Sequence, residues 1–454
     1  MSRLVIVSNR VTKADARIGR AGGLAIAMID ALKEKGGMWF GWSGGIADQT
    51  AETATIDQQD NITYATLDLG RADYDGYYLG YANAALWPLL HFQIGLMKYE
   101  SEDFRTYQAV NGHFAHALQP LLEPDDVIWV HDYHLILLAP ALRELGVKNR
   151  IGFFLHTPFP PDDVLACLPH HDVLIRALDR YDLIGFQTPE GVEAFEGARS
   201  RVTPATCHAV AETFAIGIDT AQFSRMARRA AGSSLARRLV GSLNDRALLI
   251  GVDRLDYSKG IPHRIEAIGH FLEHYKEWRG KFSYLQITPH SRNEVEAYRD
   301  IRQNIESLTG RINGQFAEFD WTPIRYLNKT FSRATLAGFY RMAAIGLVTP
   351  LRDGMNLVAK EYVAAQDPEA PGCLILSVFA GAARELDAAL LVNPLDKDEV
   401  RDAVHRALTM SVEERRERWE AMMVALRANS ITHWREQFIA RLTDPRLGEP
   451  EVHD

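Results

Sequence analysis

Cysteine is scarce in this chain: three in 454 residues, Cys167, Cys207 and Cys373. They are far apart, odd in number and not in Cys-x-x-Cys spacing, which excludes a disulfide framework and a clustered zinc site and fits a reducing, cytoplasmic setting. Long apolar runs are missing too. No stretch approaches the ~20 residues of a membrane span, and the N-terminal MSRLVIVSNR is too short in apolar residues to act as a signal peptide. Positive charge is in deficit, with 50 Lys+Arg against 59 Asp+Glu and a net charge of −9. No global field therefore draws the chain to nucleic acid or to an anionic membrane, and any bound anion must be held by local arginine and lysine clusters. A Gly-x-Gly-x-x-Gly turn after a strand is also lacking, which speaks against an NAD-dependent oxidoreductase. There is no tandem repeat and no low-complexity segment.

What is present describes a globular protein: 47% apolar and 24% charged residues, with length enough for two domains. Short apolar runs recur, each followed by a segment of helical period: LVIVSN (4–9), VIWVH (127–131), IGFFLH (151–156), LIGFQT (183–188), LLIGV (248–252), YLQIT (284–288), GLVTP (346–350) and CLILS (373–377). Such alternation predicts α/β architecture with mainly parallel sheets, whose strands are buried on both faces and so read as continuous apolar runs. The basic, small-residue stretch between Gln222 and Arg246 is the candidate junction, giving domains 1–230 and 231–454. The helical stretch Asp398 to Leu442 is a candidate to pack back on the first domain.

Ligands of open α/β sheets sit at the carboxyl ends of strands, so the residues just after these runs carry the information. In the first half these are Ser8, Asn9 and Arg10, then the glycine pair of AGGLAIAMIDAL (21–32), which reads either as a tight turn or as a close approach to phosphate at a helix start. GMWFGWSG (37–44) and YYLGYANAALWP (77–88) gather Trp39, Trp42, Tyr77, Tyr78, Tyr81 and Trp87 in segments expected to be irregular, as core or as sugar-facing rings. VIWVHDYHLILLAPAL ends a strand at His131-Asp132 and opens a helix, making Asp132 an N-cap, a ligand contact, or both. His131 and His134 lack a third ligand nearby, and no metal is expected. His156 stands at a strand end before a proline-rich loop.

In the second half, GVDRLDYSKG (251–260) places Arg254 and Lys259 in one loop. They suit a diphosphate, unless Asp253 and Asp256 hold them in an ion-pair network. VTPLRDGMNLVAKEYVAAQD (348–367) follows a strand with Arg352-Asp353-Gly354 and a helix whose first amides, near Met355 to Val358, favour an anion. Glu361, nearly two turns in, is placed to accept from vicinal hydroxyls. A nucleoside diphosphate offers both groups.

Together VSNR, AGG, GWSG, YYLGYANAALWP, WVHDYHL, GFFLHTPFP, DRLDYSKG, TPHSR, GRINGQF, RDGMNLVAKEYVAAQ and SVFAGAA, in order from Ser2 to about residue 440, resemble the trehalose-6-phosphate synthases. These are retaining family 20 glycosyltransferases with two facing Rossmann-like doubly wound domains, the GT-B fold. The resemblance implies transfer of glucose from a nucleotide sugar, usually UDP-glucose, to the anomeric hydroxyl of glucose 6-phosphate, the first step of trehalose biosynthesis, without a cofactor. It implies that Arg10, Tyr77, Trp87, Asp132 and Arg292 surround the acceptor, Asp132 at its reacting side. His156 and Asp353 would hold the donor glucose, with Gly22 and Gly23 near the donor. Arg254 and Lys259 would grip the diphosphate, Gly354, Met355, Asn356, Leu357 and Val358 would face the phosphates, Glu361 the ribose and Phe331 the base. Asp132, His156, Arg254, Lys259 and Asp353 would be the catalytic set. The loop 11–20 is a further source of acceptor or regulatory contacts. A homo-oligomer is expected. The alternatives are a relative with another phosphorylated acceptor, such as a cyclitol phosphate or glycerol 3-phosphate, and a non-catalytic sugar-phosphate sensor.

Overall fold

The computed structural model describes residues 2–11, 28–29, 32–33, 36–203, 209–289 and 296–448. The chain forms two compact units: Met1–Ala215 together with Trp434–Asp454, and Ile216–His433. The division falls ahead of the basic stretch, which folds as two helices of the second unit, Thr220–Ala231 and Ser234–Gly241, capped by the side chains of Asp219 and Ser233. Phe223 and Ala227, one helical turn apart, are buried, while Arg225, Arg228 and Arg229 face out. The stretch reads as a junction because its apolar stripe is this narrow.

The first unit is built on an eight-stranded sheet in the order β3-β4-β2-β1-β5-β6-β7-β8. Its strands are β1 Leu4–Arg10, β2 Gly37–Ala47, β3 Thr55–Gln59, β4 Ile62–Gly70, β5 Val127–His131, β6 Arg150–Phe154, β7 Leu183–Phe186 and β8 Val210–Thr213. All neighbours pair in parallel except β3 with β4. The chain starts in the middle of the sheet, winds outward through β2 and β4, and returns to lay β5 on the other side of β1. That reversal opens a crevice at the carboxyl ends of β1 and β5.

The C-terminal helix Ile431–Leu442 closes one face of this sheet. Phe438 stacks on Trp129 of β5 with ring centroids 4.7 Å apart, and Trp434 lies 4.9 Å from the same indole. Gly152 and Gly185 in β6 and β7 make room: a methyl group at Gly152 would stand 2.7 Å from the Phe438 ring and 2.8 Å from Leu442. Gly152→Ala is therefore expected to destabilise the protein by ~1–3 kcal/mol, the usual cost of overpacking a filled core. A thermal midpoint equal to wild type would contradict it.

The second unit holds six parallel strands, β9 Ala247–Val252, β10 Phe282–Ile287, β11 Ile324–Leu327, β12 Ile345–Val348, β13 Cys373–Ser377 and β14 Leu390–Val392. Their order is β11-β10-β9-β12-β13-β14, with the reversal between β9 and β12. Leu249, Tyr284, Ile345 and Ile375 of the sheet bury against Ile265, Ile268 and Phe271 of the helix Ile261–His274 and against Ile305 and Ile312 of Glu296–Phe316. Among the described residues, no helix is long and apolar enough to cross a membrane.

Candidate active site

In the first unit, the exits of β1, β5 and β6 carry the candidate residues. The pairing of β1 with β2 shifts register between Ser8 and Arg10, which re-aims the strand end. Ser8 accepts from Trp39 Nε1 at 2.8 Å, and Asn9 Oδ1 accepts from the Tyr77 hydroxyl at 2.8 Å. Arg10 is exposed, its guanidinium 5.6 Å from the centre of the Trp42 ring.

The aromatic segments are regular rather than irregular. GMWFGWSG lies in β2, and Tyr74–Leu86 is a wide, π-type helix in which the Trp87 amide reaches the Ala82 carbonyl. Trp39, Trp42, Tyr77, Tyr81 and Trp87 are all buried; their rings are core, while Tyr77 also fixes the β1 exit. Burial pushes the Tyr77 hydroxyl well above its ordinary pKa, so it stays a hydrogen-bond donor to Asn9. Trp87 packs against Tyr133, ring centroids 5.7 Å apart, directly after Asp132.

Asp132 does not cap a helix. Its backbone is left-handed (φ 74°), a short 3₁₀ turn Tyr133–Leu135 follows, and no side-chain capping bond forms. The carboxylate instead accepts the His156 amide at 3.3 Å, and the Asp132 amide donates to Phe154 O at 2.8 Å. A non-glycine residue at positive φ is costly and is kept where the surrounding structure fixes it. It brings Asp132 and His156 together. The His156 ring is 3.1 Å from His131 Nδ1 through Nε2 and 3.4 Å from Gln187 Nε2 through Nδ1. Sequence reasoning missed Gln187 and set His131 aside after weighing it only as a metal ligand.

Burial lowers the pKa of His156 to about 3, and burial first, then the neighbouring His156, lowers that of His131 well below the ordinary value. Both rings are neutral when folded and protonate near pH 6.5 when unfolded. The unfolded state therefore gains protons first as pH falls, and the stability of this unit should decline below about pH 6.5, by up to ~1.4 kcal/mol per pH unit for each ring. Urea titrations from pH 7 to pH 5 would show a shallower decline in His131→Asn than in wild type; identical slopes would contradict the buried, neutral pair.

In the second unit, the loops after β9 and β12 meet at the reversal. Lys259 Nζ lies 2.6 Å from Asp353 Oδ2, and Asn356 Nδ2 donates to the same oxygen at 3.0 Å. Of the two acidic residues of this loop, Asp253 is held by Arg264 at 2.6 Å, and Asp256 accepts from Ser258 N and from the Tyr298 hydroxyl. Arg254 is exposed on the same loop.

The helix begins at Leu357, later than the sequence suggests, because Asn356 (φ 79°) is its N-cap and accepts from Ala359 N at 3.2 Å. Leu357 and Val358 supply its first amides. Met355 belongs to the preceding turn, where its carbonyl accepts from Ala382 N. That turn is strapped by the segment after β13: Asp353 N donates to Phe379 O at 3.1 Å and Gly381 N to Asp353 O at 3.2 Å. A side chain at Gly381 would strike Gly354 O at 1.9 Å, which accounts for the glycine in SVFAGAA.

Glu361 is one turn into the helix, not nearly two. Its carboxylate accepts from Arg333 Nε at 2.8 Å, a partner the sequence did not suggest, and burial raises its pKa while Arg333 opposes the shift. Phe331, two residues before Arg333, packs edge-on against Phe339. Gly22, Gly23, Arg292 and residues 12–20 of the loop lie outside the described residues. Among the described residues, no group of three or more His, Cys, Asp or Glu could hold a metal ion.

The family model for glycosyltransferase family 20 matches residues 3–444. The trehalose-6-phosphate synthase of Sinorhizobium fredii is 49% identical over 458 residues, covering 98% of this chain and 98% of its own. Among solved structures, the UDP-forming α,α-trehalose-phosphate synthase of Burkholderia vietnamiensis is similar with a TM-score of 0.95 and 46% identity, covering 97% of this chain and 98% of its own. That of Burkholderia xenovorans in complex with glucose-6-phosphate reaches 0.93 and 48%, covering 97% and 100%. With two doubly wound α/β units and a match along nearly its whole length, the chain belongs to glycosyltransferase family 20.

Proposed function

We propose that the chain is a retaining glucosyltransferase that moves glucose from UDP-glucose to the anomeric hydroxyl of glucose 6-phosphate, giving α,α-trehalose 6-phosphate and UDP. Support comes from the synthases it resembles over its full length. The observation that carries the reading is the assembly of Lys259, Asp353, Asn356 and the start of the Leu357–Ala365 helix at the β9/β12 reversal.

The hard step is departure of a diphosphate from an oxocarbenium-like sugar. Arg254, Lys259 and the amides of Leu357 and Val358 offset the charge growing on the leaving group, in a turn shaped by Gly354, Met355 and Asn356. Asp353 holds the Lys259 ammonium, and Asp353 and, separately, His156 are the proposed contacts to the donor glucose. Glu361, held by Arg333, accepts from the ribose hydroxyls, and Phe331 is the proposed neighbour of the base. Gly22 and Gly23 let backbone approach the donor.

For the acceptor, Arg10 and Arg292 are the proposed phosphate contacts, Tyr77 fixes Asn9 at the exit of β1, Trp87 packs on Tyr133, and Asp132 is the proposed neighbour of the attacking hydroxyl. No carboxylate is needed beneath the anomeric carbon: attack comes from the face the diphosphate leaves, and a leaving phosphate oxygen takes the acceptor's proton. The cytoplasm, where both substrates are charged metabolites, is the proposed location.

Incubation with UDP-, GDP- or ADP-glucose is expected to release nucleotide only when glucose 6-phosphate is added, fastest with UDP-glucose, with an α,α linkage by NMR. Release without acceptor would refute the acceptor assignment. A β-linked product would refute retention.

A further inference from the structure

We infer that Arg264, which is not among the side chains assigned to either substrate, is the positioning residue that sets the diphosphate grip. The inference rests on the donor reading above. Arg264 is 1% exposed in the helix Ile261–His274, on its apolar stripe, three residues after Ile261 and four before Ile268. Its guanidinium donates through Nη1 to Asp253 Oδ2 at 2.6 Å and Gln286 Oε1 at 3.0 Å, through Nε to Thr349 Oγ1 at 2.9 Å, and through Nη2 to Lys259 O at 3.2 Å.

These four partners are not one local cluster. Asp253 directly follows β9, Gln286 is in β10, Thr349 directly follows β12, and Lys259 ends the loop that carries the cations. One planar fork thus ties the carboxyl ends of three adjacent strands to the carbonyl of Lys259, whose ammonium is bound to Asp353 beyond β12. Lys259 is fixed at both its main chain and its side chain.

Space for the fork is provided by Gly251, where a methyl group would stand 2.6 Å from Arg264 Nη1 and 2.5 Å from Gln286 Oε1. The Asp253 carboxylate, next to Arg254 in sequence, is bound by Arg264. A buried ion pair is a poor device for stability, because desolvation offsets its attraction, but it specifies geometry well. Geometry is what a diphosphate site requires.

The test compares Arg264→Lys and Thr349→Val with wild type, measuring UDP affinity by calorimetric titration, KM for each substrate, and the urea midpoint. Lysine keeps the charge but a single ammonium cannot span four acceptors. Its UDP affinity is expected to fall by up to ~100-fold, the order that a displacement of about 1 Å costs a reacting constellation. The KM for UDP-glucose should rise in parallel while that for glucose 6-phosphate stays within about twofold, because among the described residues no acceptor candidate hydrogen-bonds to Arg264. Thr349→Val, which keeps the side-chain shape, should lose about fivefold in UDP affinity, the order of one hydrogen bond. A midpoint shift with UDP affinity unchanged in both variants would overturn the inference and leave Arg264 a purely structural residue. Wild-type protein that does not bind UDP would overturn the donor reading and this inference with it.

Discussion

Replacing Arg254 by alanine is expected to lower kcat/KM for UDP-glucose by ~10²–10³-fold, the loss seen when one preorganised donor to a developing oxyanion is removed. The side chain is exposed at the exit of β9. It contributes little to the core, so the stability of the variant should stay within ~0.5 kcal/mol of wild type. The selectivity of the effect is the point. A planar guanidinium gains strength as negative charge concentrates on the departing phosphate, so the loss should fall on turnover as well as on donor binding. Steady-state kinetics beside a thermal melt would check it, and comparable losses of stability and activity would remove Arg254 from the catalytic set.

Lys360→Ala should act in the opposite sense, on stability before chemistry. Lys360 is fully buried and donates to both oxygens of Glu385 at 2.9 Å and to Ile216 O at 2.7 Å. Burial lowers its pKa, with Glu385 opposing the shift. Truncation leaves a mostly buried carboxylate without its cation, and removing one partner of such a pair costs ~3–5 kcal/mol. Lys360→Met combined with Glu385→Leu should recover most of that loss, since two apolar groups need no partner. Urea unfolding of the three proteins would decide; a single variant within ~1 kcal/mol of wild type would show that Glu385 finds water instead.

The eight apolar runs read from the sequence all contain strands, because parallel strands covered on both faces have no polar side to obscure them. β3, with sequence TIDQQ, was not legible: it is an edge strand, largely exposed, and its side chains resemble a loop's. β8 and β11 are short and half exposed for the same reason. β2 was misread because glycine and tryptophan together suggest an irregular segment, whereas here the indoles are core.

In the candidate site, the two residues of the Lys259–Asp353 contact were both singled out from the sequence, because loop chemistry is concentrated at strand exits. Arg264 and Arg333 were not, since each looks like an ordinary helical cation. A charge on an apolar stripe was the available signal for Arg264. The cap at Asn356 was hidden because a left-handed residue at a helix start is set by the turn strapped beneath it rather than by its own sequence. Asp132 was hidden in the same way, its conformation dictated by the neighbouring strand β6.

Trp434 and Phe438 complete a sheet whose strands were translated far earlier, and this fixes an order of events during synthesis. The first unit emerges from the ribosome with the apolar surface of Trp129, Gly152 and Gly185 bare, and it stays bare while the entire second unit is made. The closing helix can dock only once residues 431–442 have been made, so the nascent chain needs protection on that face through the synthesis of the second unit. A circular permutant that moves residues 434–448 ahead of Ser2 would let the first unit finish before the second begins.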